Sequence, residues 1–279
     1  MEKACVKDYN QLEIIILKER NIMMGFPENL LQSRSIIKQG LYALMAPEGL
    51  VNNSVPGFEN CYVSILGSPR LGASFVDYII TMYEGGHNKE RGFGGEADVE
   101  TFLYVVDGEV KVTVEDKEHS FTQGGYIYCP PGTKMFMENV NKGDSKVFLY
   151  KQKYKELEGQ EKPWLVTGNV NDIEEIEYGG VKEMRIKDLL PADFAFDMNF
   201  HILTFDPGAG HPFIETHVQE HGAYLLSGEG VYNLDNEWVT VKKDDYIFMG
   251  PYVQQACYAV GREKLSYIYS KDCNRDADL

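Results

Sequence analysis

The chain has 279 residues, a net charge of −16 and a pI of about 4.8. Apolar residues make up 43% of it, enough for a packed core, so a disordered chain is excluded. So acidic a chain is also a poor match for a phosphate backbone or an anionic lipid surface, which excludes nucleic acid and membrane as partners. No apolar run approaches the roughly 18 residues of a membrane helix. The five cysteines, Cys5, Cys61, Cys129, Cys257 and Cys273, are odd in number, scattered and free of any C-x-x-C spacing. They read as reduced thiols, and a cytoplasmic location is expected.

In chain order, residues 1–25 read as an N-terminal extension. MEKACVKDYNQLEIIILKER carries charges throughout, and its LEIIIL stretch is too short for the apolar core of a signal peptide. Met23-Met24-Gly25 is a second candidate start, which makes the first 22 residues an appendage. Residues 9–20 and 27–38 carry helical patterns, and 183–192 (KEMRIKDLLP) a short turn. Most of the rest alternates apolar and polar residues between Gly, Pro, Asp and Asn. VKVTVEDKEHSF (110–121), GVYNLDNEWVTV (230–241) and KLSYIYS (264–270) are examples and predict strands and hairpins. The charged stretch 153–169 (KYKELEGQEKPWLVTGN) reads as a linker between two β units.

Those units are copies of one another. Shifted by 120 residues without a gap, Glu100 falls on Glu220, Tyr104 on Tyr224, Gly108-Glu109 on Gly228-Glu229 and Tyr126-Ile127 on Tyr246-Ile247. Each copy predicts a strand, a glycine hairpin, two strands, then a tight turn before another strand. Closed barrels would remove the free edges that so much strand creates.

One stretch carries the chemistry. FIETHVQEHGAYLLSGEG (213–230) holds Glu215, His217 and His221, and four of the six histidines lie between 201 and 221. Read as H-x-x-E-H, it is a helical zinc-protease motif. PGAGHP before it and Gly222, Gly228 and Gly230 after it argue against the long helix such a motif needs. Read as strand, Glu215 and His217 share a face, while His221 lies about 13 Å further along. Metal bonds are about 2 Å long, so the chain must turn around Gln219-Glu220 and bring His221 back from the next strand. Under the 120-residue shift, Glu215 falls on Gly95, His217 on Ala97, His221 on Thr101 and Gln255 on Met135. All four donors are lost together in the first copy while scaffold residues persist, which marks them as one functional set.

The order Glu215-x-His217-x3-His221-x6-Gly228, with Gln255 ten residues after Asp245, resembles the two motifs of the cupins, small jelly-roll barrels that often hold one metal. GFENC (57–61), LGASFVDY (71–78), YIYCPPG (126–132), FDMNFHIL (196–203), ETHVQEHGAYLLSG (215–228) and SYIYSKDCNRD (266–276) are similar to the (S)-ureidoglycine aminohydrolase family of bicupins. The resemblance covers about residues 26–279. It implies an all-β bicupin of two tandem jelly-roll barrels, an N-terminal cupin without ligands (26–158) and a C-terminal metal-binding cupin (159–279). It implies one Mn²⁺ per chain on Glu215, His217, His221 and Gln255. Two imidazoles, a carboxylate and an amide oxygen suit Mn²⁺ better than Zn²⁺, although affinity order alone favours Zn²⁺ or Cu²⁺. The resemblance further implies that Tyr232, Tyr267 and Lys271 contact substrate. Glu215, Lys271 and Tyr267 are the candidate catalytic groups, while His201 and His211 match no ligand position. The implied reaction converts (S)-ureidoglycine and water to (S)-ureidoglycolate and ammonia, and a homo-oligomer is expected. Another metal cupin, an isomerase or a dioxygenase, and a non-catalytic ligand-binding bicupin are the alternatives.

Overall fold

The computed structural model describes residues 33–271. The N-terminal extension and the helical pattern at 9–20 lie outside these residues. The alternating segments form β-strands throughout, and only two short 3-10 turns interrupt them among the described residues.

In the first half these strands are β1 (Ile36–Lys38), β2 (Tyr42–Met45), β3 (Glu59–Ile65), β4 (Phe75–His87), β5 (Phe93–Gly94), β6 (Val99–Asp107), β7 (Glu109–Val114), β8 (Lys117–Thr122), β9 (Gly125–Cys129), β10 (Lys134–Asn139) and β11 (Ser145–Lys153). The second half holds β12 (Val166–Asn169), β13 (Ile176–Tyr178), β14 (Val181–Asp188), β15 (Asn199–Phe205), β16 (His221–Ser227), β17 (Glu229–Leu234), β18 (Glu237–Lys242), β19 (Tyr246–Met249), β20 (Gln255–Ala259) and β21 (Leu265–Lys271). They build two antiparallel barrels.

The 120-residue repeat is written into the backbone. β7 and β17, and likewise β8 and β18, begin and end 120 residues apart. Both β7–β8 and β17–β18 turn through two left-handed residues, Glu115-Asp116 (φ 48° and 62°) and Asp235-Asn236 (φ 53° and 63°). This is the type I′ turn, whose twist matches that of paired strands. Asn and Asp tolerate the left-handed region better than most residues, which explains three of the four choices.

Strands are exchanged between the halves. β1 and β2 extend the second barrel, with Tyr42–Met45 paired to Tyr246–Met249 of β19. β12 extends the first barrel, with Val166–Asn169 paired to Gly125–Tyr128 of β9. Arg34 fastens this exchange with two hydrogen bonds to the buried Asp245 carboxylate, 2.9 and 2.6 Å long.

Three apolar cores result. One fills each barrel, and the third lies between them. The shared core contains Phe102 stacked on Phe200 at 3.8 Å, and Phe75 against Phe248 at 6.1 Å, each pair spanning the two halves.

Two local expectations give way to sheet pairing. The described end of the 27–38 pattern is strand β1, because Ile36 and Ile37 pair with Leu44 and Ala43. Most of 183–192 is strand β14, paired residue for residue with β15. In both places the tertiary partner outweighs weak helical periodicity. The 153–169 stretch has no regular structure from 154 to 165, and its last four residues are β12.

Candidate metal centre and active site

The site lies in the second barrel, where two segments meet. Glu215 and Gln255 form an isolated bridge, each backbone N–H donating to the other's carbonyl at 3.0 and 2.9 Å. The chain then runs through 216–220 without regular structure and enters β16 at His221. That loop returns His221 beside His217, with Nε2 to Nε2 at 3.3 Å. No helix forms here, so the H-x-x-E-H reading fails on backbone geometry. Glu220 points away from the histidines and accepts from the Ser74 backbone N–H in the first barrel, 3.1 Å to each oxygen.

Hydrogen bonds fix the tautomers of the two rings. Nδ1 of His221 lies 2.7 Å from the Ser270 carbonyl, and Nδ1 of His217 lies 3.0 Å from the Gln219 carbonyl. A carbonyl oxygen only accepts, so both Nδ1 atoms carry the proton and both Nε2 atoms present lone pairs. Burial is the main reason that both rings are held below the ordinary histidine range, and it keeps them neutral. Two neutral lone pairs 3.3 Å apart need a cation between them, or a donor. The Gln255 amide, 2.9 Å from His217 Nε2, supplies a donor as it is placed. Turning that amide by 180° puts its oxygen at the same point, where a cation takes an oxygen donor. This donor set therefore fits a divalent metal. Each ring also has, on its Nδ1, the kind of backbone carbonyl partner that metal-bound histidines use.

Glu215 lines the same pocket as His221 and Gln255. Its carboxyl is pushed up by burial and pulled back by Lys271. It does not close on the histidines: among the described residues no three His, Cys, Asp or Glu side chains form a closed metal cluster.

Tyr232, Tyr267 and Lys271 line this pocket too. The two phenol oxygens lie 3.4 Å apart, and burial pushes both phenols well above their usual range, so they act as neutral hydrogen-bonding groups. Tyr267, Tyr269 and Lys271 alternate along β21 and present one face to the barrel. Lys271 acts electrostatically on Glu215, His217 and His221 alike.

The structure adds lining residues that the sequence motif alone did not single out, Tyr178, Leu203 and Met249. Only their register across β13, β15 and β19 places them there, so no local signal marks them. His211 lines the pocket as well. Its Nδ1 accepts from the Cys257 backbone N–H at 2.8 Å, and burial lowers its pKa to about 4. His201 pairs with Asp188 at 2.7 Å and packs beside Tyr269.

A cupin-domain model matches residues 201–270, and an EutQ-like cupin-domain model matches 85–153. The chain is 55% identical to the (S)-ureidoglycine aminohydrolase of Escherichia coli K12 over 93% of its own length and 98% of that protein's. The chain belongs to the (S)-ureidoglycine aminohydrolase family. The Arabidopsis thaliana member is 31% identical over 88% of this chain and 79% of its own. The crystal structure of the protein Ylba from E. coli superposes with a TM-score of 0.81 at 54% identity, covering 91% of this chain and all of that one. Oxalate decarboxylase of Bacillus subtilis, whose Mn(II) centres one structure describes, shares the fold at a TM-score of 0.64 and 12% identity. The aminohydrolase family thus accounts for both barrels. No helix among the described residues is long and apolar enough to cross a membrane.

Proposed function

We propose that this chain hydrolyses (S)-ureidoglycine to (S)-ureidoglycolate and ammonia, using one Mn²⁺ in the C-terminal cupin (159–279). In this reading the N-terminal cupin (26–158) carries no metal. The observation that carries the reading is the pair of Nε2 lone pairs on His217 and His221, locked toward one point in a pocket that Tyr232, Tyr267 and Lys271 line. His217, His221, Gln255 and Glu215 would hold the metal, which supplies Lewis-acid polarisation of the bound substrate.

The residues of the chain do the rest. Lys271 brings a cation to a site that must hold an anionic carboxylate inside a chain of net charge −16. The Tyr232 and Tyr267 hydroxyls can donate to and accept from the ureido group, which orients the amine-bearing carbon. Glu215, whose carboxyl burial pushes up when no metal holds it, would exchange a proton with water or the leaving amine only by loosening its metal bond. Exposed Ile37 and Leu41 beside the edge of β1 support a homo-oligomer. The free, buried thiols Cys61, Cys129 and Cys257 support a cytoplasmic setting.

The test is ammonia release from ureidoglycine generated in place, with the chirality of the product followed. His217→Ala and Lys271→Ala are each expected to abolish enzyme-dependent release and chiral product. Unchanged release in both variants overturns the reading.

A further inference from the structure

The loop that carries the histidines is held from outside its own barrel. Asp77 of β4 belongs to the first barrel and is fully buried. It accepts a hydrogen bond from the Tyr246 hydroxyl at 2.6 Å. Its Oδ2 lies so close to Gly222 that a Cβ there would stand 1.9 Å away. Gly222 directly follows His221, and its N–H donates to the Ser270 hydroxyl at 3.2 Å. The Ser270 carbonyl in turn accepts from His221 Nδ1. The other side of the loop is held by the Ser74 N–H, which grips Glu220. Gly222 has no left-handed φ, so its missing side chain serves close approach, of Asp77 first and then of the Tyr246 hydroxyl at 2.6 Å and the Phe75 ring at 2.9 Å from the same Cβ position.

The repeat shows that this contact departs from the common scaffold. The counterpart of Gly222 is Phe102, whose ring fills the shared core against Phe200. The counterparts of Asp77 and Glu220 are Asp197 and Glu100, which meet each other and Gln152 across the interface. Only beside the histidines has the aromatic ring been replaced by a glycine that admits a carboxyl from the other barrel.

We infer that Asp77 is a positioning residue for the metal centre, through which the cupin without ligands sets where β16 begins and where His221 points. Asp77 touches neither substrate nor ligand and acts through Gly222 and Ser270. This assignment rests on the metal-centre reading above. It also gives the first barrel a part in the chemistry of the second.

The test is titration of metal-depleted full-length protein with Mn²⁺, reading free Mn²⁺ by electron paramagnetic resonance. Wild-type protein is titrated first, because absence of binding there overturns the metal reading itself. Asp77→Ala is expected to weaken Mn²⁺ binding by about 10- to 100-fold. Asp77→Asn, which keeps the shape and an acceptor for Tyr246, is expected to stay within about threefold of wild type. Gly222→Ala is expected to weaken binding as Asp77→Ala does. Wild-type affinity in Asp77→Ala, or a loss in Asp77→Asn equal to that in Asp77→Ala, overturns the assignment while leaving the metal site intact.

Discussion

The two barrels share one scaffold and differ in what fills it. In the second, Glu215, His217, His221 and Gln255 bring oxygen and nitrogen donors to the barrel interior. In the first, the same positions are Gly95, Ala97, Thr101 and Met135. Thr101 and Met135 are buried, and Met135 packs with Phe93, Val112 and Cys129 in a continuous apolar core. Both barrels close with corresponding strands and the same I′ turns, although only the second has donors at these four positions. The proposed ligand set is an addition to a strand scaffold that both barrels share.

Experiments that break this asymmetry fall in order of effect. His221→Ala should remove metal binding and lower activity by about 10³-fold, a loss of several kcal/mol of transition-state stabilisation. The matching change in the first barrel, Thr101→Ala, should leave metal content unchanged. Metal analysis beside rate measurement checks both.

Phe200→Ala probes what the barrels share. It should cost about 3–5 kcal/mol in urea unfolding, because the ring is buried between the halves and stacked on Phe102. Unfolding should stay a single transition. Two separate transitions would show that the shared core does not join the barrels into one unit.

Acid should act on the second barrel first. His211 is held at about 4, mainly by burial, and its Nδ1 accepts a backbone hydrogen bond. A folded pKa below the unfolded value of about 6.5 means the neutral ring stabilises the fold above pH 6.5. That contribution is lost as pH falls from about 6.5 through about 4, and amounts to about 3 kcal/mol. The midpoint of thermal unfolding of metal-depleted protein should drop over that window. His211→Gln should flatten the drop.

The smallest effect lies at Tyr252. Its φ of 62° is left-handed, and its counterpart is Gly132 with φ 83°. The tyrosine is 63% exposed, so little packing offsets the strain. Tyr252→Gly should stabilise the protein by on the order of 0.5–1 kcal/mol in urea unfolding.

Much of this was legible in the sequence, for physical reasons. Alternation and the gapless 120-residue shift announce two copies of one β unit, because side-chain period and strand length constrain every residue. The turn between His217 and His221 follows from bond lengths alone. Legibility fails where a partner lies far along the chain. Residues 36–38 carry no sign that β2 and then β19 await them. Tyr178, Leu203 and Met249 reach the pocket only through register. Glu220 reads as scaffold from its repeat at Glu100, and the structure specifies that role as a grip on Ser74 across the interface. Gly222 reads as one more glycine until Asp77 is found against it.

The exchange of edge strands also governs the order in which the chain can finish folding. On the ribosome, residues 42–45 emerge about 200 residues before β19, the strand they pair with. The first barrel likewise waits for β12, which is made only after the 154–165 connection. Each barrel is left with an open edge until the other half has been translated, a nascent state exposed to wrong pairings. Cutting the gene at the connection would therefore yield two products that each lack a strand held by the other, and those products should be soluble only when made together.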